Sequence, residues 1–177
     1  ADTYGAPDGF GCGAAILSTG AATGSPLQDK AQLFNWNLAG TNLSDINTVS
    51  YWAYRASSSG PAINLGFNIQ ITGPGVPDGL AHLVYEPYNQ SGGQAAILDN
   101  TWQFWDATDT SFNNGRWWSN KIPSGPGSQY GQIQWASLKA LYPNAVLAGY
   151  GFNLGSNNPN SVVAGDGLTI NGNTTDF

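Results

Sequence analysis

One stretch restricts the fold of this chain more than any other. In AINLGFNIQI, Ile63, Leu65, Phe67, Ile69 and Ile71 alternate with Asn64, Gly66, Asn68 and Gln70. An apolar residue at every second position is the period of a strand with one buried face; a helix would scatter the same residues around its axis. AVLAGYGFNL repeats the pattern, with Val146, Ala148, Tyr150, Phe152 and Leu154 expected to point inward. In NTVSYWAYRA both faces carry bulk, Val49, Tyr51 and Ala53 on one and Trp52 and Tyr54 on the other. Such a strand is either central or has a functional outer face.

The remaining apolar runs are short: GAAILST, AQLFNWN, LAHLVYE, AAIL, TWQFWDA, GRWWSN, SVVAGDGLTI and NTTDF. Turn-forming clusters such as TGAATGSPLQDK, SSSGP and TGPGVPDG separate them. That makes about ten strands at the spacing of a sandwich or barrel. QWASLKALYP is the one helical stretch, with Trp135, Leu138, Leu141 and Tyr142 expected on one face and Pro143 ending it. The fold expected is therefore all-β, an antiparallel β-sandwich of jelly-roll-like type with one short helix near residues 134–142. No repeat or linker divides the 177 residues, so a single domain over 1–177 is expected, with the Gly- and Pro-containing residues 1–11 forming an extended N-terminal arm.

Composition removes several functions. Five Lys and Arg in a chain of net charge −6 do not suit nucleic acid, whose phosphates need neutralising. No apolar run approaches the roughly 18 residues of a membrane-spanning helix, so no membrane insertion is expected. Aromatic content of 12% argues against disorder despite the low charge. The start ADTYGAPDG, without methionine, resembles a mature protein after signal removal, which predicts a secreted, extracellular or cell-surface location. Cys12 is the one cysteine, which rules out an intramolecular disulfide. A free cysteine is usually a small buried residue; the sharper reading is a bridge between subunits.

The working surface is expected around residues 85–121. DNTWQFWDATDTSFNNGRWWSNK holds Trp102, Trp105, Trp117 and Trp118 among the seven tryptophans, and LVYEPYNQSG just before it holds the single glutamate, Glu86. Indole faces stack on the apolar faces of sugar rings, while amides and carboxylates bond the hydroxyls. The candidate ligand-binding set is Trp102, Trp105, Trp117, Trp118, Tyr85, Tyr88, Glu86, Arg116, Asn113 and Asn114. Strand alternation sets Trp117 against Trp118, and Trp102 against Trp105, so one of each pair can be core and the other exposed.

Enzyme readings are weaker. Glycoside hydrolysis needs paired carboxyl groups, and Glu86 would have to find an aspartate. A Ser-His-Asp site would need His82, which sits in an apolar strand without a nucleophile elbow. One His and one Cys do not make a zinc site. No cofactor is expected beyond a structural Ca²⁺, for which Asp106, Asp109 and Asp166 are the candidates. NLS at Asn42, NQS at Asn89 and NTT at Asn173 match the N-glycosylation triplet, which matters only in a host that glycosylates exported proteins.

Taken together, GAAILST, DKAQLFN, AGTNLSDINTVSYWAYR, NLGFNIQI, LVYEPYN, NTWQFWDA, WASLKALYPNAVLAGYGFNLGS and DGLTINGNTTDF resemble a secreted jelly-roll-like domain of bacterial extracellular and cell-surface proteins. The resemblance implies an architecture similar to lectin and carbohydrate-binding-module sandwiches and brings no catalytic residues with it. The function expected is non-catalytic, extracellular binding of a glycan or polysaccharide. The alternative is a structural subunit of a filament or adhesive fibre, self-associating through strand edges or the arm, and a hydrolase centred on Glu86 comes last.

Overall fold

A computed structural model describes residues 4–21, 29–57, 63–156 and 158–177. Most of the turn expected at SSSGP, the middle of TGAATGSPLQDK and the first three residues of the arm lie outside the described residues. The strands in chain order are β1 (Ala15–Ser18), β2 (Ala31–Asn35), β3 (Val49–Arg55), β4 (Gly66–Thr72), β5 (Ala81–Tyr85), β6 (Trp102–Asp106), β7 (Arg116–Ser119), β8 (Ile133–Gln134), β9 (Val146–Leu154), β10 (Val162–Ile170) and β11 (Asn173–Thr175). They form two antiparallel sheets, ordered β1-β10-β3-β6 with β11 beside β10, and β2-β9-β4-β5-β7-β8. The chain crosses between the sheets at six of the ten connections joining these strands, in the Greek-key course of a jelly roll. The β7–β8 hairpin widens the second sheet.

The core is the layer between the sheets. Phe67, Ile69 and Ile71 of β4 are fully buried, as the alternation requires, and meet Tyr51 of β3 and Phe152 of β9. The ring centres of Tyr51 lie 5.8 Å from Phe67 and 5.5 Å from Phe152. Close approach of the sheets depends on Gly165 of β10, where a Cβ would fall 2.4 Å from Leu65 Cδ2. Tyr51 donates its hydroxyl to the Leu65 carbonyl at 2.7 Å, so this buried polar group is satisfied.

Three local expectations are corrected. In β9 a register shift opposite Gln70 and Ile71 inserts a residue, so Leu147 turns inward while Val146 and Ala148 sit half-buried. A bulge resets the alternation in this way, and only the later part, Tyr150, Phe152 and Leu154, keeps the expected phase. AAIL is not a strand; Gly93–Ala96 is a 3₁₀ turn. The helix α1 is short, Trp135–Ala140, and Leu141 is exposed rather than facing the core with Trp135, Leu138 and Tyr142. Trp135 nevertheless anchors it: its ring lies 4.6 Å from that of Trp117, and its Nε1 donates to the Ile46 carbonyl at 2.9 Å.

From residue 4 onward the expected arm lies against its own chain. The Tyr4 ring is 5.2 Å from Tyr54, and Trp102 Nε1 donates to the Tyr4 carbonyl at 3.2 Å. The Phe10 ring covers Gly167, and the Gly11 amide donates to the Asp176 carboxylate at 3.2 Å. Cys12, read above as a buried residue, is exposed. No helix among the described residues is long and apolar enough to cross a membrane.

Candidate functional site

The outward face of the six-stranded sheet carries the site. Register places Gln32, Asn153 and Gly66 in one row across β2, β9 and β4, and Gly151, Asn68, Val84 and Trp118 in the next across β9, β4, β5 and β7. Gly66, in the first row, leaves no side chain on the floor there. A cavity of about 440 Å³ lies over it, within the range of small-ligand sites. Its lining is dominated by amides: Gln32, Asn64, Asn68, Asn120, Gln129, Asn153 and Asn158, with Trp118 and Tyr88 as aromatic walls and Lys30, His82 and Glu86 as ionisable groups.

Glu86 follows β5 and is held by three side-chain donors. Tyr88 Oη donates to Oε1 at 2.6 Å; Asn89 Nδ2 and Trp118 Nε1 donate to Oε2 at 2.8 and 3.0 Å. These bonds fix the plane of the Trp118 indole. Burial, and then the charge and hydrogen bond of Glu86, push the Tyr88 hydroxyl far above its usual range, so it stays a proton donor. Burial and then the charges of Lys30 and Lys121 hold His82 below its ordinary value, leaving a neutral imidazole at neutral pH. Glu86 is the one carboxylate among the described lining residues.

Two lining amides carry the strongest chemical signal. Asn64 and Asn68 are 2% and 4% exposed, and Asn64 Nδ2 and Asn68 Oδ1 have no hydrogen-bond partner. Buried polar atoms are nearly always paired, and an unpaired one costs about 1–3 kcal/mol. One orphan is a donor and the other an acceptor, and both belong to residues that line the same cavity.

A second cavity of about 520 Å³ adjoins the first, since Gln129 lines both. Its wall includes Arg116, Asn113, Gln90 and the highly exposed Tyr130. Arg116 donates from Nη1 to the Gln132 carbonyl at 2.8 Å and from Nη2 to Asn113 Oδ1 at 3.0 Å. Gln90 ties the two cavities at their border, donating to the carbonyls of Glu86 and Arg116 and accepting from the Arg116 amide.

The residues expected in the site therefore divide. Glu86, Tyr88 and Trp118 come together in the first cavity, and Arg116 and Asn113 in the second. Trp117 and Tyr85 do not belong: both point between the sheets, at 0% and 1% exposure, and their rings meet at 5.6 Å. Asn114 is a scaffold residue, accepting from the Ser91 amide and donating to Asp109. Trp105 packs on the core. Trp102 lies on the other sheet, with its ring 5.5 Å from Tyr54. The opposition of Trp117 to Trp118 and of Trp102 to Trp105 follows the alternation expected, which puts one tryptophan out of four into the cavity.

The three aspartates proposed for calcium each accept local hydrogen bonds. Asp106 accepts from the Thr108 amide and hydroxyl at 2.8 Å. Asp109 caps its own turn, held below the usual carboxylate range first by the Ser111 hydroxyl. Asp166 is buried in β10, accepting from the Gly167 and Phe177 amides. Among the described residues no group of three His, Cys, Asp or Glu is placed to hold a metal.

Sequence reasoning missed the amides. Gln32, Asn120 and Asn153 carry no local signal, whereas Asn64 and Asn68 are the polar half of the best alternating strand in the chain. No protein-family model matches the chain, and comparison with curated proteins and with solved structures gives no match either.

Proposed function

We propose that this protein binds carbohydrate, without catalysis, in the cavity on the outer face of the six-stranded sheet. The observation that carries the reading is the amide-rich lining beside Trp118, whose indole donates to Glu86. A hydroxyl group both donates and accepts, as an amide side chain does, so sugar hydroxyls pair with such a lining in either direction. Trp118, held in plane by Glu86, offers a fixed indole for the apolar face of the ring. Seven amide side chains in the described lining offer hydrogen bonds in both directions to hydroxyl groups. The paired-carboxylate mechanism of glycoside hydrolysis asks for a second carboxyl group beside Glu86, which the described lining does not supply. An extracellular location accords with such a ligand. Assembly into filaments through the first residues would first require Tyr4 to leave Tyr54 and Trp102.

The test is titration of a panel of oligosaccharides and polysaccharides by tryptophan fluorescence, on the native chain and three variants. Trp118→Ala and Asn68→Ala are expected to weaken binding at least tenfold, about 1.4 kcal/mol, while melting within a few degrees of the native protein. Asn68→Ala removes an unpaired acceptor, so a loss of binding without loss of stability separates a ligand contact from a structural one. Trp117→Ala is the control, expected to cost about 3–5 kcal/mol of folding stability. A panel that gives no binding, or an Asn68→Ala variant that binds normally and melts early, overturns the reading.

A further inference from the structure

The two adjoining cavities hold an uneven share of the protein's charge. Among the described residues Lys30 lines the first and Arg116 the second, whereas Glu86 is the one acidic residue that lines either. This is the reverse of the molecule as a whole, whose net charge is −6. Glu86 is itself answered on both oxygens by Tyr88, Asn89 and Trp118. The guanidinium of Arg116 is pinned through Gln132 and Asn113, and those two bonds leave further N–H donors of a planar fork. Such a fork matches the geometry of a carboxylate or sulfate.

We infer that the saccharide is an anionic chain, bearing carboxylate or sulfate groups, laid across both cavities with Arg116 as its anion contact. The inference rests on the reading of the first cavity as a saccharide site. Arg116 and Trp118 are two residues apart in β7 and so share a face of that strand, and Gln129 lines both cavities. A ring stacked on Trp118 places its neighbour toward Arg116, and Lys30 answers charge on the opposite wall. Glu86 repels an anion, so the charged substituents are expected at Arg116 and Lys30 and a hydroxyl-bearing edge at Glu86.

The experiment is a fluorescence titration of the full chain with three probes at low and high salt. These are oligogalacturonate, the same oligomer with its carboxyl groups reduced to alcohols, and a sulfated dextran oligomer. Binding of a charged probe is expected to weaken with salt, and the reduced oligomer to bind about tenfold less tightly than its parent, with Arg116→Gln losing a similar factor on the charged probe alone. The first and third probes distinguish a carboxylate from a sulfate ligand. Lys30→Gln, at an exposed position, keeps the test open if Arg116→Gln fails to fold. Equal affinity for charged and reduced oligomers, or unchanged binding by both variants, overturns the anionic inference. If none of the three binds while a neutral glycan of the wider panel does, the inference falls and the saccharide reading stands. If nothing on the panel binds, both fall.

Discussion

Trp117 and Trp118 are covalent neighbours with opposite fates. Trp117 is enclosed between the sheets and donates to the Ala107 carbonyl, while Trp118 stands in the cavity and donates to Glu86. The difference is a strand's half-turn per residue, not any property of the indoles. His82 lies on the same face and makes the site pH-sensitive. Its folded-state pKa is depressed, first by burial and then by Lys30 and Lys121. The unfolded chain therefore binds more protons than the folded one below about pH 6.5. The stabilisation is complete above that pH and is lost as pH falls through the folded value. Native protein is expected to lose more stability than His82→Gln between about pH 7 and pH 5, with the carboxylates common to both cancelling in the comparison. Parallel denaturation curves for the two proteins at both pH values would exclude this role for His82.

Strand β9 is the element on which the site depends. It lies between β2 and β4, and its bulge lets Leu147 and Tyr150 both reach the core although they are three positions apart. Gly151 then lies so close to β2 that a Cβ there would fall 1.9 Å from the Leu33 carbonyl oxygen. Gly151→Ala is expected to push β2 away, at a cost of about 1–3 kcal/mol from overpacking. Because β2 carries Gln32, bonded to Asn153 at 2.8 Å, one wall of the cavity should move with it. A melting temperature equal to that of the native chain would show that β2 accommodates the methyl group without strain.

At the scale of the whole molecule, residues 10–11 and 176–177 meet on one sheet. Phe10 covers Gly167, Asp176 accepts from the Gly11 amide, and the Phe177 amide donates to Asp166. Asp166 is fully buried there with Oδ2 unpaired. Burial raises its pKa, against the two backbone bonds that lower it, and the charge of Asp176 adds to the rise. The folded state thus holds this proton more tightly than the unfolded one, and stability is lost as pH rises through the folded value. Asp166→Asn removes that loss. Its stability relative to the native chain is expected to improve between about pH 4 and pH 7 in urea denaturation. A difference that stays constant over that interval would mean that the carboxyl group does not titrate in the fold.

Period-two alternation in AINLGFNIQI, the turn clusters and the bulk on both faces of NTVSYWAYRA made an antiparallel β-sandwich legible, because a strand's periodicity is local. The opposition of adjacent tryptophans was legible for the same reason. The bulge in β9 was not, since one inserted residue inverts a face without changing composition. Nor was the helix end, where Leu141 has helical spacing but no surface to cover it. The sequence by itself determined which residues alternate, and hence that two faces exist. Tertiary structure alone decided which face encloses the core and which distant amides meet. Gln32, Asn68, Asn120 and Asn153 belong to four segments, and only sheet pairing brings them around one cavity.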